Sequence, residues 1–293
     1  MTRTWCRAPG LAPLLQLAER AGLQRLVAEH VRLGRPGGVN AELKVASVVA
    51  GMVAGADSIE DMALLRHGAM SRLFTGVRAP STLGTFLRSF TFGHVRQLDA
   101  VASRLLVTLA GQVPLLTGAD ELAYLDVDDT LRQTYGYAKA GAGHGYTGVK
   151  GLNALLAVVS TPSSAPVIAA ARLRKGSANS ARGAPRFVVD ALLTARRAGT
   201  TGVLVLRADS AYYNHDVIAA ATRHGARFSV TARRTGRSAR RSPASPRTPG
   251  PRSSTPTRSS TRRSSAGSAT RRSPRSATPR SPASPRPAAS PPG

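Results

Sequence analysis

Apolar residues recur at three- and four-residue spacing through the first 115 positions, and the period then changes near Glu121. Residues 11–33 (LAPLLQLAERAGLQRLVAEHVRL) carry Leu and Val at helical spacing with Glu and Arg between them, which predicts an amphipathic helix or a helical pair. Arg35-Pro36-Gly37-Gly38 breaks it. Residues 41–54 predict a central helix, apolar on most sides, and Asp57-Ser58-Ile59-Glu60 reads as a cap before a short helix over 59–66. A further helix starts at Pro80-Ser81-Thr82 with Ser81 as N-cap, Gly93 interrupts it, and a long helix follows over 94–110. From there the pattern alternates. Residues 123–127 (AYLDV) predict a strand that turns at Asp128-Asp129-Thr130-Leu131, and a glycine-rich loop runs from Gly136 to Gly151. Residues 152–160 and 166–173 read as strands joined by a turn at Thr161-Pro162, 184–198 as a helix, and 202–206 as a short buried strand. A helix over 216–224 and a last strand over 228–231 complete the series. The fold class is therefore α/β, an all-helical N-terminal domain followed by a sheet with both faces partly covered.

Composition changes this picture only at the end of the chain. From Thr235 to Gly293 the only residues are Arg, Ser, Pro, Thr, Ala and Gly. Such a segment cannot bury enough apolar surface to offset its ordering entropy, so it is expected to be a disordered tail. Of the net charge of +26, residues 234–293 supply +14 through 14 Arg and no acid, which leaves +12 for residues 1–233. Excess positive charge suits a polyanionic partner such as nucleic acid, although an Arg-rich composition also follows from a GC-rich genome. Cys6 is the single cysteine, which excludes an intrachain disulfide and a cysteine zinc cluster. No window reaches the length of apolar sequence needed to span a membrane, and the N-terminus lacks an apolar signal core, so a cytoplasmic location is expected.

Two acidic positions follow apolar strands. Asp128 ends AYLDVD, with Asp126 two residues earlier on the same face, and Asp209 follows GVLVLRA. Carboxylates at the carboxyl ends of neighbouring strands point into one crevice, and such a set holds divalent metal for phosphodiester chemistry. Mg²⁺ suits oxygen donors. An Asp after a strand also serves as a helix cap or turn former, and spacing alone does not separate the two.

Longer motifs add to this. The runs YLDVDDTLRQTYGYAKAGAGHGYTGVKGLNALLAVVS, RLRKGSANSARGAPRFVVDALL and LVLRADSAYYN, with PSTLGTFLRSFTFGHVRQLDAV upstream, closely resemble bacterial DDE insertion-sequence transposases, those of the insertion sequence 1380 family in particular. The resemblance covers residues 8–233 or so. It implies a helical DNA-binding region over 1–115, a ribonuclease-H-like catalytic core over 116–233, a two-metal Mg²⁺ site, and double-stranded DNA of transposon terminal repeats as partner. A homodimer and a nucleoid-associated location in a bacterial cell are the expected setting. The family's first metal-binding Asp lies in Asp-x-Thr, which matches Asp128-Asp129-Thr130, with Asp126 as rival; its second follows a strand and an Arg-Ala pair, matching Asp209. Lys150, Arg174, Lys175 and Asn179 are expected DNA contacts beside the site, the last three in a run resembling a family motif. Arg88, His94 and Arg96 lie on helices suited to terminal-repeat binding or to an ordinary solvated face, and Tyr212 and His215 read as packing.

The departure from the family is its third acid, a Glu in a downstream helix. No Glu follows Glu121 here. The core is then incomplete, and the chain is expected to be inactive. The change near Arg233 reads as a frameshift, since GC-rich coding DNA in the wrong frame yields this six-letter alphabet; an evolved Arg/Ser/Pro tail is the rival. A non-catalytic DNA-binding module, or an inhibitor of transposition, is the alternative function.

Overall fold

A computed structural model describes residues 10–34, 37–67, 70, 76–135, 139–145 and 147–232. Tyr146 and the tail expected to be disordered, residues 234–293, lie outside the described residues. The first region is helical, with α1 (Leu11–Arg20), α2 (Leu23–His30), α3 (Ala41–Val53), a 3-10 segment (Glu60–Arg66), α4 (Pro80–Arg88) and α5 (Phe92–Ala110). The expected first helix is a pair, because Gly22 adopts the left-handed conformation (φ 82°) that turns α1 into α2. Two boundaries differ from expectation. Ala79, not Ser81, is the N-cap of α4, and Pro80 takes the first helical position, where its missing N–H costs nothing. Gly93 lies inside α5, and the break falls at Thr91, whose side chain forms a reciprocal capping box with His94.

The second region is a mixed sheet of β1 (Leu122–Gln133), β2 (Gly143–His144), β3 (Lys150–Thr161), β4 (Ser164–Lys175), β5 (Val203–Ala208) and β6 (Arg227–Val230), with α6 (Ala184–Arg197) and α7 (His215–Arg223) between the later strands. Spatial order is β4-β3-β1-β5-β6, with the short β2 also on β3. β3 runs antiparallel to both β1 and β4, whereas β1, β5 and β6 are mutually parallel. β1 does not turn at Asp128 as expected. It continues to Gln133 because β3 pairs with it along the whole length, down to Gly151.

One sheet face is closed by helices. Ala123, Leu125 and Val127 of β1, Leu155, Ala157 and Val159 of β3, and Leu204 and Leu206 of β5 share a core with Phe187, Val188, Ala191, Leu192 and Ala195 of α6 and Leu106 of α5. Each Leu, Val or Phe side chain among them contributes about 1.5–3 kcal/mol by leaving water. Thr108 and Gln112 donate to the carbonyls of Ala21 and Arg20, tying α5 and the residues just after it to the first helical pair.

Among the described residues the two faces expected to be partly covered differ, the second being covered less than the first. Leu152, Ala154, Leu156 and Val158 of β3 are apolar yet only half-buried, they join no described core cluster, and Ile168 beside them on β4 is 57% exposed. β3 is apolar on both faces, the pattern of a strand meant to be buried twice, but the helices that share the sheet's core cluster, α5, α6 and α7, pack on the other side.

Candidate active site

β1 and β5 run parallel, and their last paired positions are Val127 and Ala208. Asp128 follows Val127 within β1, and Asp209 is the first residue past the end of β5, each one position beyond the last β1–β5 pair. Side-chain alternation puts both on the face that carries Asp126 and Arg207. Both acids are exposed. The Asp128 carboxylate accepts the Asp129 N–H at 2.8 Å, and the Asp209 carboxylate accepts the Ala211 N–H at 2.9 Å, capping the 3-10 turn Ser210–Tyr212. Asp209 thus caps a turn at the point where the chain leaves β5.

Asp126 stands differently. Its two oxygens take Nε and a terminal nitrogen of Arg207, each at 2.6 Å, and the guanidinium lies 4.1 Å from the centre of the Tyr124 ring. A carboxylate held by both oxygens to one arginine has little left for a cation. Among the described residues no group of three or more His, Cys, Asp or Glu is arranged to hold a metal. The donors that remain together are Asp128 and Asp209, two exposed carboxylates of the hard-oxygen type that suits Mg²⁺.

The other predicted residues separate by strand parity. Lys175 pairs with Leu152 on β3, and this places it and Lys150 on the sheet face of Asp128. Arg174, one residue earlier, points the other way and is 8% exposed. Its guanidinium donates to Asn153 Oδ1 at 2.6 and 2.8 Å and to the carbonyls of Asn179, Ser180 and Arg182, and pairs with Asp129 at 3.4 Å. Binding a phosphate through Arg174 would break these bonds; its place is scaffolding. Asn179 is exposed in that loop, where its side-chain oxygen accepts the Ala181 N–H. Gly176 explains why the motif needs glycine, since a Cβ there would collide with the carbonyls of Gly151 and Gly143. On this side a cleft of 690 Å³ opens between His144, Asn153, Ser177, Ser180 and Ser210.

The sequence reading gave Asp129 no role and Tyr212 only packing. Asp129 is 8% exposed and accepts from Asn153 Nδ2 and, at 2.8 Å, from the Tyr212 hydroxyl. Burial pushes its carboxyl up, but hydrogen bonds from Ser180, Asn153 and Tyr212 and the Arg174 charge outweigh that and hold it below the ordinary value. Tyr212, read as packing, is fully buried, and burial together with Asp129 raises its phenol. The signal was parity: Asp129 falls in step with Leu125 and Val127, visible once β1 is allowed to continue past Asp128.

In the helical region Arg88 is exposed on α4, whereas Arg96 on α5 pairs with Asp99 at 2.8 Å and approaches Asp190 of α6 at 4.0 Å. Asp190 also pairs with Arg172 of β4 at 2.7 Å, so Arg96 helps join the helices to the sheet. Asp99 is pushed up to about 6, mainly by burial, against the lowering charges of Arg96 and Arg172. A folded value above the ordinary 3.8 favours the protonated form, so this contribution to stability is full below about pH 3.8 and is lost as pH rises through about 6. Asp99→Asn is therefore expected to gain about 2–3 kcal/mol at pH 7 and nothing at pH 3.5. Urea unfolding at the two pH values checks it, and equal gains at both would refute the assignment.

No curated protein compared with the chain matches it. The family model described as transposase DDE domain group 1 matches residues 8–265, a span that passes Arg233 and runs into the six-letter segment. With that match covering most of the sequence, the chain belongs to the DDE transposase domain family.

Proposed function

We propose that this chain carries the helical DNA-binding region (1–115) and a partial ribonuclease-H-like core (116–233) of an enzyme that cleaves and joins double-stranded DNA at transposon ends. The reading is carried by the positions of Asp128 and Asp209, each one residue beyond the last pair between the parallel strands β1 and β5. The strand order β4-β3-β1-β5-β6, with only β3 antiparallel to its neighbours among the long strands, supports the ribonuclease-H-like assignment. The motifs support an insertion sequence 1380-like origin.

Asp128 and Asp209 would hold Mg²⁺, which supplies a Lewis acid that lowers the pKa of an attacking oxygen and stabilises the leaving one. Asp126 is neutralised by Arg207 and stays out of the donor set. Lys150 and Lys175, on the same sheet face, suit contacts to the phosphates flanking the scissile bond. The donor chemistry fits the ion, and the donor number falls one short, because no Glu follows Glu121. The chain is accordingly a catalytically incomplete transposase, with residues 234–293 the product of a frameshift near Arg233.

Incubation with Mn²⁺ and a terminal-repeat duplex is expected to give no nicking above background. Robust nicking that disappears in Asp209→Ala would overturn the inactive reading while keeping the site. A second reading, a DNA-binding module that occupies transposon ends as a monomer or homodimer and inhibits an intact copy, is favoured by the net +12 of residues 1–233.

A further inference from the structure

The sheet ladder does not fix Asp209. Pairing between β1 and β5 ends at Val127 and Ala208, and Asp209 is the first residue beyond it. What crosses from β1 to the segment after Asp209 is a side-chain bond. Asp129, next to Asp128 but on the opposite face of β1, accepts the Tyr212 hydroxyl at 2.8 Å. Tyr212 is 0% exposed and closes the 3-10 turn whose Ala211 N–H is held by the Asp209 carboxylate at 2.9 Å. The path from one acid to the other thus runs Asp128, Asp129, Tyr212, turn, Asp209. Asp129 is itself immobilised: Asn153 of β3 and Ser180 of the loop after β4 donate to it, and Arg174, anchored on three carbonyls of that loop, pairs with it.

We propose that Asp129 and Tyr212 form a positioning clamp that pins the turn after Asp209 to β1 and so sets the separation of the Asp128 and Asp209 carboxylates. The proposal rests on the reading of those two acids as a metal-holding pair. Neither clamp residue touches the metal or the substrate. Both act through the backbone that carries the acids, and through Arg174 the same clamp orders the loop bearing Asn179.

Tyr212→Phe in the full chain is the test, since it removes one hydroxyl and keeps the ring that fills the core. Amide hydrogen exchange followed by mass spectrometry reads the turn, and electron paramagnetic resonance of free Mn²⁺ reads the acid pair. Exchange across residues 210–213 is expected to quicken on the order of tenfold, with α6 unchanged, because a hydrogen bond to a buried carboxylate is removed. Mn²⁺ affinity is expected to fall roughly tenfold or more, as when a partner behind a metal ligand is removed. A tyrosine that merely packs would leave both readouts where they were, and that result overturns the clamp. Faster exchange with unaltered Mn²⁺ affinity also overturns it, because the turn would then be ordered without positioning the acid. Asp209→Asn separates the two ideas. If it binds Mn²⁺ as well as the unaltered chain, the metal-pair reading fails, and the exchange data alone judge the clamp.

Discussion

Arg174→Met is expected to destabilise the fold by about 3–5 kcal/mol, the usual consequence of removing one partner of a buried ion pair. The loss has two sources. Asp129, 8% exposed, would keep a buried charge without its cation. The carbonyls of Asn179, Ser180 and Arg182 would lose a donor that now gathers them around one guanidinium. Methionine fills much of the space, so the effect is electrostatic rather than a cavity. Adding Asp129→Asn is expected to recover part of the loss, because the stranded charge goes with it, and a double-mutant cycle measures the coupling. The pH dependence follows from the sign of the shift. The Asp129 carboxyl is held below its ordinary 3.8, so its contribution is full above about pH 4 and fades as pH falls further. The variant should therefore lose most at neutral pH and differ least from the unaltered chain in acid. Urea unfolding free energies within about 1 kcal/mol of each other at pH 7 would mean Arg174 is no keystone.

That result bears on how much of the site the sequence disclosed. Helices and strands were legible because apolar period reports them directly, and Asp128 and Asp209 stood out as candidates because each follows an apolar run. What stayed hidden is parity beyond the visible strand ends. Ending β4 at Leu173 left Arg174 and Lys175 looking like equal phosphate ligands, whereas two further residues of pairing send the first inward and the second outward. Ending β1 at Asp128 concealed Asp129 in the same way. Asp126 and Asp128 share a face, so alternation could not choose between them. The choice depends on Arg207, which lies 81 residues away in sequence and meets Asp126 only because β5 pairs in parallel with β1. The second sheet face, half-buried among the described residues, is a related case. A strand that is apolar on both sides shows that a cover is wanted, and the chain's own sequence after residue 234 holds no apolar segment to supply one.

The same lack of apolar residues leaves the basic segment with one physical property, its charge, and a large effect follows from it. Binding of the full chain to duplex DNA is expected to be steeply salt-dependent, falling about 10³-fold or more between 50 and 200 mM salt if six or more phosphates are neutralised. The described residues all lie in one compact unit, Met1–Arg241, so removing Ser242–Gly293 takes no part of the described fold. It takes ten arginines and no acid, lowering the net charge from +26 to +16. Every phosphate that those arginines neutralise adds about 0.9 to the steepness of log affinity against log salt, so the truncated chain should give a flatter line. Because counterion release is blind to sequence, random duplex and terminal-repeat duplex should weaken by the same factor, on the order of 10²-fold or more at low salt. On the proposed function, in which the helical region and the Asp128 face engage the terminal repeats, the preference between the two duplexes should survive the truncation. Titrations of both duplexes at several salt concentrations, with and without the segment, give the two slopes. An unchanged slope would mean those arginines do not touch DNA. A preference that vanishes with them would move sequence recognition out of the folded unit and into a segment whose polar side chains are only guanidinium and hydroxyl groups.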